Sequence, residues 1–273
     1  MIHQAAKHVR RARTAERGLS LVELMIALTI AMLLIAGMIT ILQNVRTTYN
    51  EQQSLAQLQD NARLGMTLMT DVIESAGYFP NPPPPGTYTA AIALPASPSF
   101  ASAGTPVIAG GTTAVGDTVT VRYAPDNTQD LYNCMGGTNS TSPYDTWENT
   151  FTVVSTGAST AALECTFWSA HSGATTGPTP LVTGLTNGTG AWPKGMTLKF
   201  GITTQTETQG TCLDTYKTEA QMVAADWANV CSVQVTLNFV NPVAPPGTAN
   251  GSPKSYIPFT IVIPIMNAAG AAL

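Results

Sequence analysis

Charge is scarce in this sequence: Asp, Glu, Lys and Arg together make up 10% of its 273 residues. Thr, Ser, Ala, Gly and Pro take their place, a profile that fits an exported β-rich domain better than a cytosolic enzyme. Histidine is scarcer still. Of the three present, only His171 lies beyond residue 8, so a Ser-His-Asp arrangement would hang on one residue of the turn-like stretch Ser169-Ala170-His171-Ser172-Gly173. No Gly-x-Ser-x-Gly elbow occurs, and the chain is read as a non-enzyme. The four cysteines lack Cys-x-x-Cys spacing, which removes the usual zinc sets. Asp126, Asn127 and Asp130 lack the glycine at the sixth position and the acid at the twelfth that an EF-hand loop needs. Neither a metal nor another cofactor is expected. Trp147, Trp168, Trp192 and Trp227 are read as core or sheet packing rather than a sugar-binding face. Proline is absent before Pro80, so nothing there forbids a long helix.

What charge there is lies unevenly. Lys7, Arg10, Arg11, Arg13 and Arg17 precede Leu19, against one acid, Glu16. Without residues 1–18, which hold five of the 12 basic and one of the 16 acidic residues, the chain would carry a formal net charge of −8. Such an acidic remainder argues against nucleic acid as a partner of the folded domain, since phosphate binding needs clustered cations. The basic head is followed by an apolar run over residues 19–42, in which Glu23 is the one charged residue. About 20 apolar residues span a bilayer core. A basic head before such a span places the head in the cytoplasm and the rest across the membrane. An ionised group at membrane depth costs roughly 3 kcal/mol or more, so Glu23 is a functional-site candidate by default. A cleavable secretory signal ending near Ala36-Gly37 and a plain anchor with an incidental acid are competing readings. The length of the run, and an acid inside its apolar core, argue against the first.

Helical periodicity continues past the run. Leu55, Leu58, Ala62, Met66, Met69, Ile73 and Ala76 recur at spacings of three and four, while Glu51, Gln59, Asp60, Arg63, Asp71 and Glu74 fall mostly off that stripe. One helix over residues 20–76 is therefore expected, roughly 85 Å long at 1.5 Å per residue. Gly77 suits its C-cap, and Pro80, Pro82, Pro83, Pro84 and Pro85 forbid continuation. Beyond it, strands are expected at 118–123 (alternating, half-buried), 151–154, 162–167, 196–202, 232–240 and 256–263. Pro258 and Pro264 make the last an edge or irregular strand. Residues 80–116 and 136–150 read as loops, and 219–226 as a short helical stretch.

Cys134, Cys165, Cys212 and Cys231 all lie beyond the apolar run. An even count in an exported domain suggests disulfides, with three connectivities open. Sequential pairing, Cys134–Cys165 and Cys212–Cys231, closes the shortest loops at least entropic cost. Four free buried thiols are the alternative.

The stretch Glu16-Arg17-Gly18-Leu19-Ser20-Leu21-Val22-Glu23-Leu24-Met25 resembles the processing site of type IV prepilins. The resemblance implies cleavage after Gly18 by a prepilin peptidase, N-methylation of the new N-terminus on Leu19, and a role for Glu23 in subunit assembly. It implies an α+β, pilin-like fold: a long N-terminal helix with an antiparallel sheet domain on its C-terminal half. The division is then a leader at 1–18, a transmembrane or filament-core helix half at 19–42, an amphipathic half at 43–79 and a β-rich domain at 80–273.

Further along, Leu58-Gln59-Asp60-Asn61-Ala62-Arg63 and Asp71-Val72-Ile73-Glu74-Ser75-Ala76-Gly77-Tyr78-Phe79 look like the helix exit of PilW-type minor pilins. Gly116-Asp117-Thr118-Val119-Thr120-Val121-Arg122-Tyr123, Lys199-Phe200-Gly201-Ile202 and Trp227-Ala228-Asn229-Val230-Cys231-Ser232-Val233-Gln234-Val235 resemble later strands of that family. The family implies a subunit that primes pilus assembly or stays at the tip. Its partners would be other minor pilins, the major pilin and possible tip adhesins, and it would sit in the inner membrane before reaching the pilus surface. The proline run 80–85 departs from the family pattern. A J-type minor pseudopilin of type II secretion is the alternative.

Overall fold

The computed structural model describes residues 20–79, 94–128, 130–140, 145–203, 215–245 and 248–265. The proline run at 80–85, with Gly18, Leu19 and Cys212, lies outside them. The chain divides into two compact units, Met1–Gln52 and Gln53–Leu273. A single 54-residue helix, α1 (Leu21–Glu74), continues from one into the other.

In the first unit every described side chain is exposed. In the second, Leu58, Ala62, Gly65, Met69, Val72 and Ile73 of α1 are buried. Most of the expected stripe is there, with Leu55 and Met66 half-buried and Gly65 and Val72 added. At Gly65 the helix lies close against the sheet. A Cβ built there would lie 3.0 Å from Val182 Cγ2 and 3.4 Å from Leu237 Cδ1. Gly65→Leu should therefore push strands away from the helix, at a cost of about 1–3 kcal/mol. Thermal unfolding of the full chain in detergent would read this as a lower Tm, and an unchanged Tm would overturn the close packing. Past Glu74 the chain turns away at Gly77, whose φ of 77° is the left-handed region that glycine enters freely. Gly77 N–H donates to Arg122 O at 2.8 Å and Ala124 N–H to Tyr78 O at 2.7 Å, which stitches the helix exit to a strand end.

Among the described residues nine strands follow: β1 (Val107–Thr112), β2 (Asp117–Tyr123), β3 (Trp147–Ser155), β4 (Thr160–Ser169), β5 (Thr175–Thr186), β6 (Met196–Ile202), β7 (Thr215–Lys217), β8 (Val230–Val240) and β9 (Tyr256–Pro264). All described pairings are antiparallel, in the order β1-β2-β3-β4-β5-β8-β6-β7, with β9 on β8. The link from β5 to β8 is a single pair, Leu185 opposite Phe239. It joins a five-strand ribbon to a smaller group of four. One apolar core, including Val121, Phe151, Leu163, Phe200, Val235 and Leu237, packs with the helix stripe.

Several expectations need correction. β2 alternates in chemistry but not in burial, since Thr118, Thr120 and Arg122 on its polar face are also buried. The stretch read as a loop over 80–116 contains β1, a glycine-bearing strand with an irregular register between Ala109 and Gly111. β5 and β7 were not expected, and β3 begins at Trp147 inside the second loop. In place of a helical stretch at 219–226 stand two 3-10 turns, Glu219–Gln221 and Asp226–Asn229.

Candidate functional site

The N-terminal segment holds the strongest candidate. The Leu24 N–H donates to Ser20 O at 3.1 Å, which sets Ser20 as the residue before the first helical turn. Glu23 stands in that first turn, where a negative charge favours the positive end of the helix dipole by about 0.3–1 kcal/mol at exposed sites. Ser20-Leu21-Val22-Glu23 also has the Ser-x-x-Glu spacing of a capping box, in which the acid reaches back toward the N-cap N–H. Sequence reasoning passed over Ser20, although the spacing was there to read. Glu23 is exposed in the isolated chain, as are Leu21, Val22, Leu24, Met25 and Ile26 around it.

Over residues 21–42 apolar exposure continues around every side of the helix. Met32, Leu33, Leu34, Met38 and Ile41 are each more than 60% exposed, at 71%, 74%, 65%, 72% and 65%. A helix apolar on all sides needs lipid or other helices around it. By length and composition α1 can cross a membrane, with a mean hydropathy of 2.6 over its most apolar window. Its hydroxyls suit that setting. Thr29 donates to Ile26 O at 2.8 Å and Thr40 to Ala36 O at 3.0 Å, so neither leaves a polar group unsatisfied in an apolar surround.

The other polar residues singled out by sequence are held apart or engaged in packing. Asp145 takes the backbone N–H of His171 at 2.8 Å, not its ring, and accepts from Trp147 Nε1 at 2.8 Å and Ser169 Oγ at 2.6 Å. The imidazole gains no orienting acid from that contact. Asp126 accepts both the N–H and the hydroxyl of Thr128, each at 2.8 Å, in a local turn. Among the described residues no group of three or more His, Cys, Asp or Glu is placed to hold a metal. Trp147 is 4% exposed and stacks edge-on with Tyr123 and Phe167, and Trp227 stacks on Phe200. Burial pushes the Tyr123 phenol far above its ordinary pKa, and its hydroxyl donates to Tyr132 O at 2.5 Å. An open cleft of about 540 Å³ is walled by Asp71, Glu74, Tyr78, Asp130, Leu131 and Tyr132.

Cys134 and Cys165 come together at disulfide distance, with Cα atoms 6.2 Å apart. Both are buried, Cys165 in β4 and Cys134 in a turn between β2 and β3, where its N–H donates to Asn149 Oδ1 at 2.9 Å. Cys231 is buried in β8.

Sequence gave no sign of what surrounds Arg122. Its side chain is fully buried and donates to Thr105 O at 2.6 Å, Pro95 O at 2.5 Å and Ser102 O at 2.6 Å. The guanidinium lies 4.2 Å from the Phe100 ring centre. Glu148 sits opposite in the ladder and also binds the Ser97 hydroxyl. Desolvation lowers the Arg122 pKa to about 10 while Glu148 acts to raise it, so the cation persists at neutral pH. Its contacts are all internal, which makes it a structural clasp on residues 94–106.

The prokaryotic N-terminal methylation motif matches residues 13–39, a stretch that contains Gly18, Leu19 and Glu23. No curated protein and no solved structure was found to match the chain. The motif supports the type IV pilin superfamily, whether pilin or pseudopilin. It implies processing by a prepilin peptidase and assembly with other pilins, and with the apolar helix it is consistent with an inner-membrane anchor.

Proposed function

We propose that the chain is a PilW-type minor pilin, a non-catalytic subunit that takes part in priming, assembly or the tip of a type IV pilus. The observation that carries this reading is Glu23, the one carboxylate in the first turn of an apolar helix that leaves no side chain buried over its first half. Cleavage between Gly18 and Leu19 would create an α-amine four residues upstream of that carboxylate. Both charges then enter an apolar helix bundle and neutralise each other, within one subunit or between neighbours. The basic leader keeps the N-terminus cytoplasmic until then, with the globular domain on the periplasmic side and later on the pilus surface.

Residues 1–18 are the leader, 19–42 the filament-core half, 43–79 the amphipathic half and 80–273 the globular domain. Disulfides Cys134–Cys165 and Cys212–Cys231 staple the last of these. Partners are other minor pilins, the major pilin and, at the tip, an adhesin.

Intact-mass measurement and N-terminal sequencing of the mature protein test the premise: the chain should begin at an N-methylated Leu19. Any other start removes the basis of the reading. Non-reducing peptide mapping should find the two cysteine pairs, and four free thiols would overturn them. Deletion of the gene should reduce piliation and twitching. Full piliation with a secretion defect would instead make the chain a J-type minor pseudopilin.

A further inference from the structure

Strand β9 poses a problem that its sequence solves. It pairs with β8 alone among the described strands, in an unbroken register from Ser232 opposite Pro264 to Val240 opposite Tyr256. At nine residues it is longer than β1, with six, or β7, with three, the strands at the two ends of the sheet order. It carries no charged residue, and Thr260 is its one residue that is neither apolar nor aromatic. A long uncharged apolar edge is a template for strand addition by another chain.

The hydrogen-bond phase shows which groups that edge presents. Ile265 N–H donates to Cys231 O at 2.8 Å at one end of the ladder, and Asn241 N–H to Ser255 O at 2.9 Å at the other. In an antiparallel pair such bonded positions alternate with positions whose N–H and C=O point away. Ile257, Phe259, Ile261 and Ile263 therefore bond to β8. Tyr256, Pro258, Thr260, Val262 and Pro264 face the open edge. Both prolines fall in the outward set, where their missing N–H costs β8 nothing and deprives an incoming strand. Thr260 and Val262 are left as the only adjacent outward donors, bracketed by a proline on each side. Pro258, Thr260 and Pro264 are exposed and Val262 is 46% exposed, so the strand is not covered on its outer face either.

We infer that Pro258 and Pro264 guard the open edge of β9 against strand addition by a second copy of this chain. The inference is independent of the role proposed above. It applies to any setting that concentrates copies of the domain.

Residue-resolved amide exchange on the full chain in detergent micelles tests the geometry directly. Phe259, Ile261 and Ile263 should be protected while Thr260 and Val262 exchange fast; protection of the latter two in the monomer would overturn the open edge. Restoring the donors with Pro258→Thr and Pro264→Thr should lower the concentration at which the chain associates by about tenfold, the effect of roughly 1.4 kcal/mol. Thr260 and Val262 should then become protected. Adding Val262→Pro, which removes an outward donor without touching the β8 ladder, should restore the monomer. A double variant that stays monomeric, or whose association is indifferent to Val262→Pro, would overturn the proposal.

Discussion

Glu23→Ala is expected to insert into the membrane at least as well as the wild type and to be lost from assembled filament complexes. The two halves of this result have separate causes. A carboxylate near the middle of a spanning helix disfavours insertion by about 2.5–3.5 kcal/mol, and less near its end, so its removal can only ease that step. In a bundle of such helices the Leu19 amine would be left buried without its counter-charge. Breaking a buried pair costs about 3–5 kcal/mol, or roughly two to three and a half orders of magnitude in the assembly equilibrium.

Glu23→Gln separates pairing from helix capping. Glutamine at the third helical position still serves the capping-box spacing with Ser20, but carries no charge. If the acid acts through the cap, glutamine should rescue assembly. If it acts through the amine, glutamine should fail nearly as badly as alanine, and the latter is the expected result. Membrane fractionation and immunoblots of sheared filaments measure both steps. Wild-type incorporation of the alanine variant would make the carboxylate incidental.

The long helix was legible because several local signals agreed. Apolar spacing persists from the membrane-length run to Ala76, no proline interrupts it, and Gly77 then Pro80 close it. β6 was read to the residue, since Met196, Leu198, Phe200 and Ile202 alternate along a compact run and share one buried face. β5 was missed for the opposite reason. Its first half, with Pro178 and Pro180 among threonines, is exposed and pairs with β4 through repeated register shifts. The pairing comes from β4, the strand just before it in the chain, and not from the segment's own propensity. At 219–226 the composition suggested a helix, and a capping box does form between Thr218 and Gln221, but it closes only a single 3-10 turn. At the N-terminus the acid was legible as a misfit of charge in an apolar run. Ser20 was legible in principle through its spacing to Glu23. Arg122 was not, because its partners are three carbonyl groups of a loop with no distinctive side-chain pattern.

That clasp carries the second large expected effect. Arg122→Met keeps length and apolar contact but removes the charge, and should destabilise the globular domain by about 3–5 kcal/mol. The reason is what it leaves behind. Glu148, 3% exposed, loses the cation opposite it in the ladder, and the carbonyls of Pro95, Ser102 and Thr105 lose their donor. Residues 94–106 would have to open to water to satisfy those groups. Arg122→Lys should not rescue, since one ammonium cannot reproduce a planar fork reaching three acceptors over the Phe100 ring. A double variant, Arg122→Met with Glu148→Gln, should recover part of the loss, because no unpaired charge then remains buried. Thermal unfolding and limited proteolysis within 94–106 give independent readings on the full chain. If Arg122→Met left both the Tm and the loop's resistance unchanged, the buried guanidinium would be a passenger, and residues 94–106 would be held by the packing of Leu94 and Phe100 and by the Ser97–Glu148 contact.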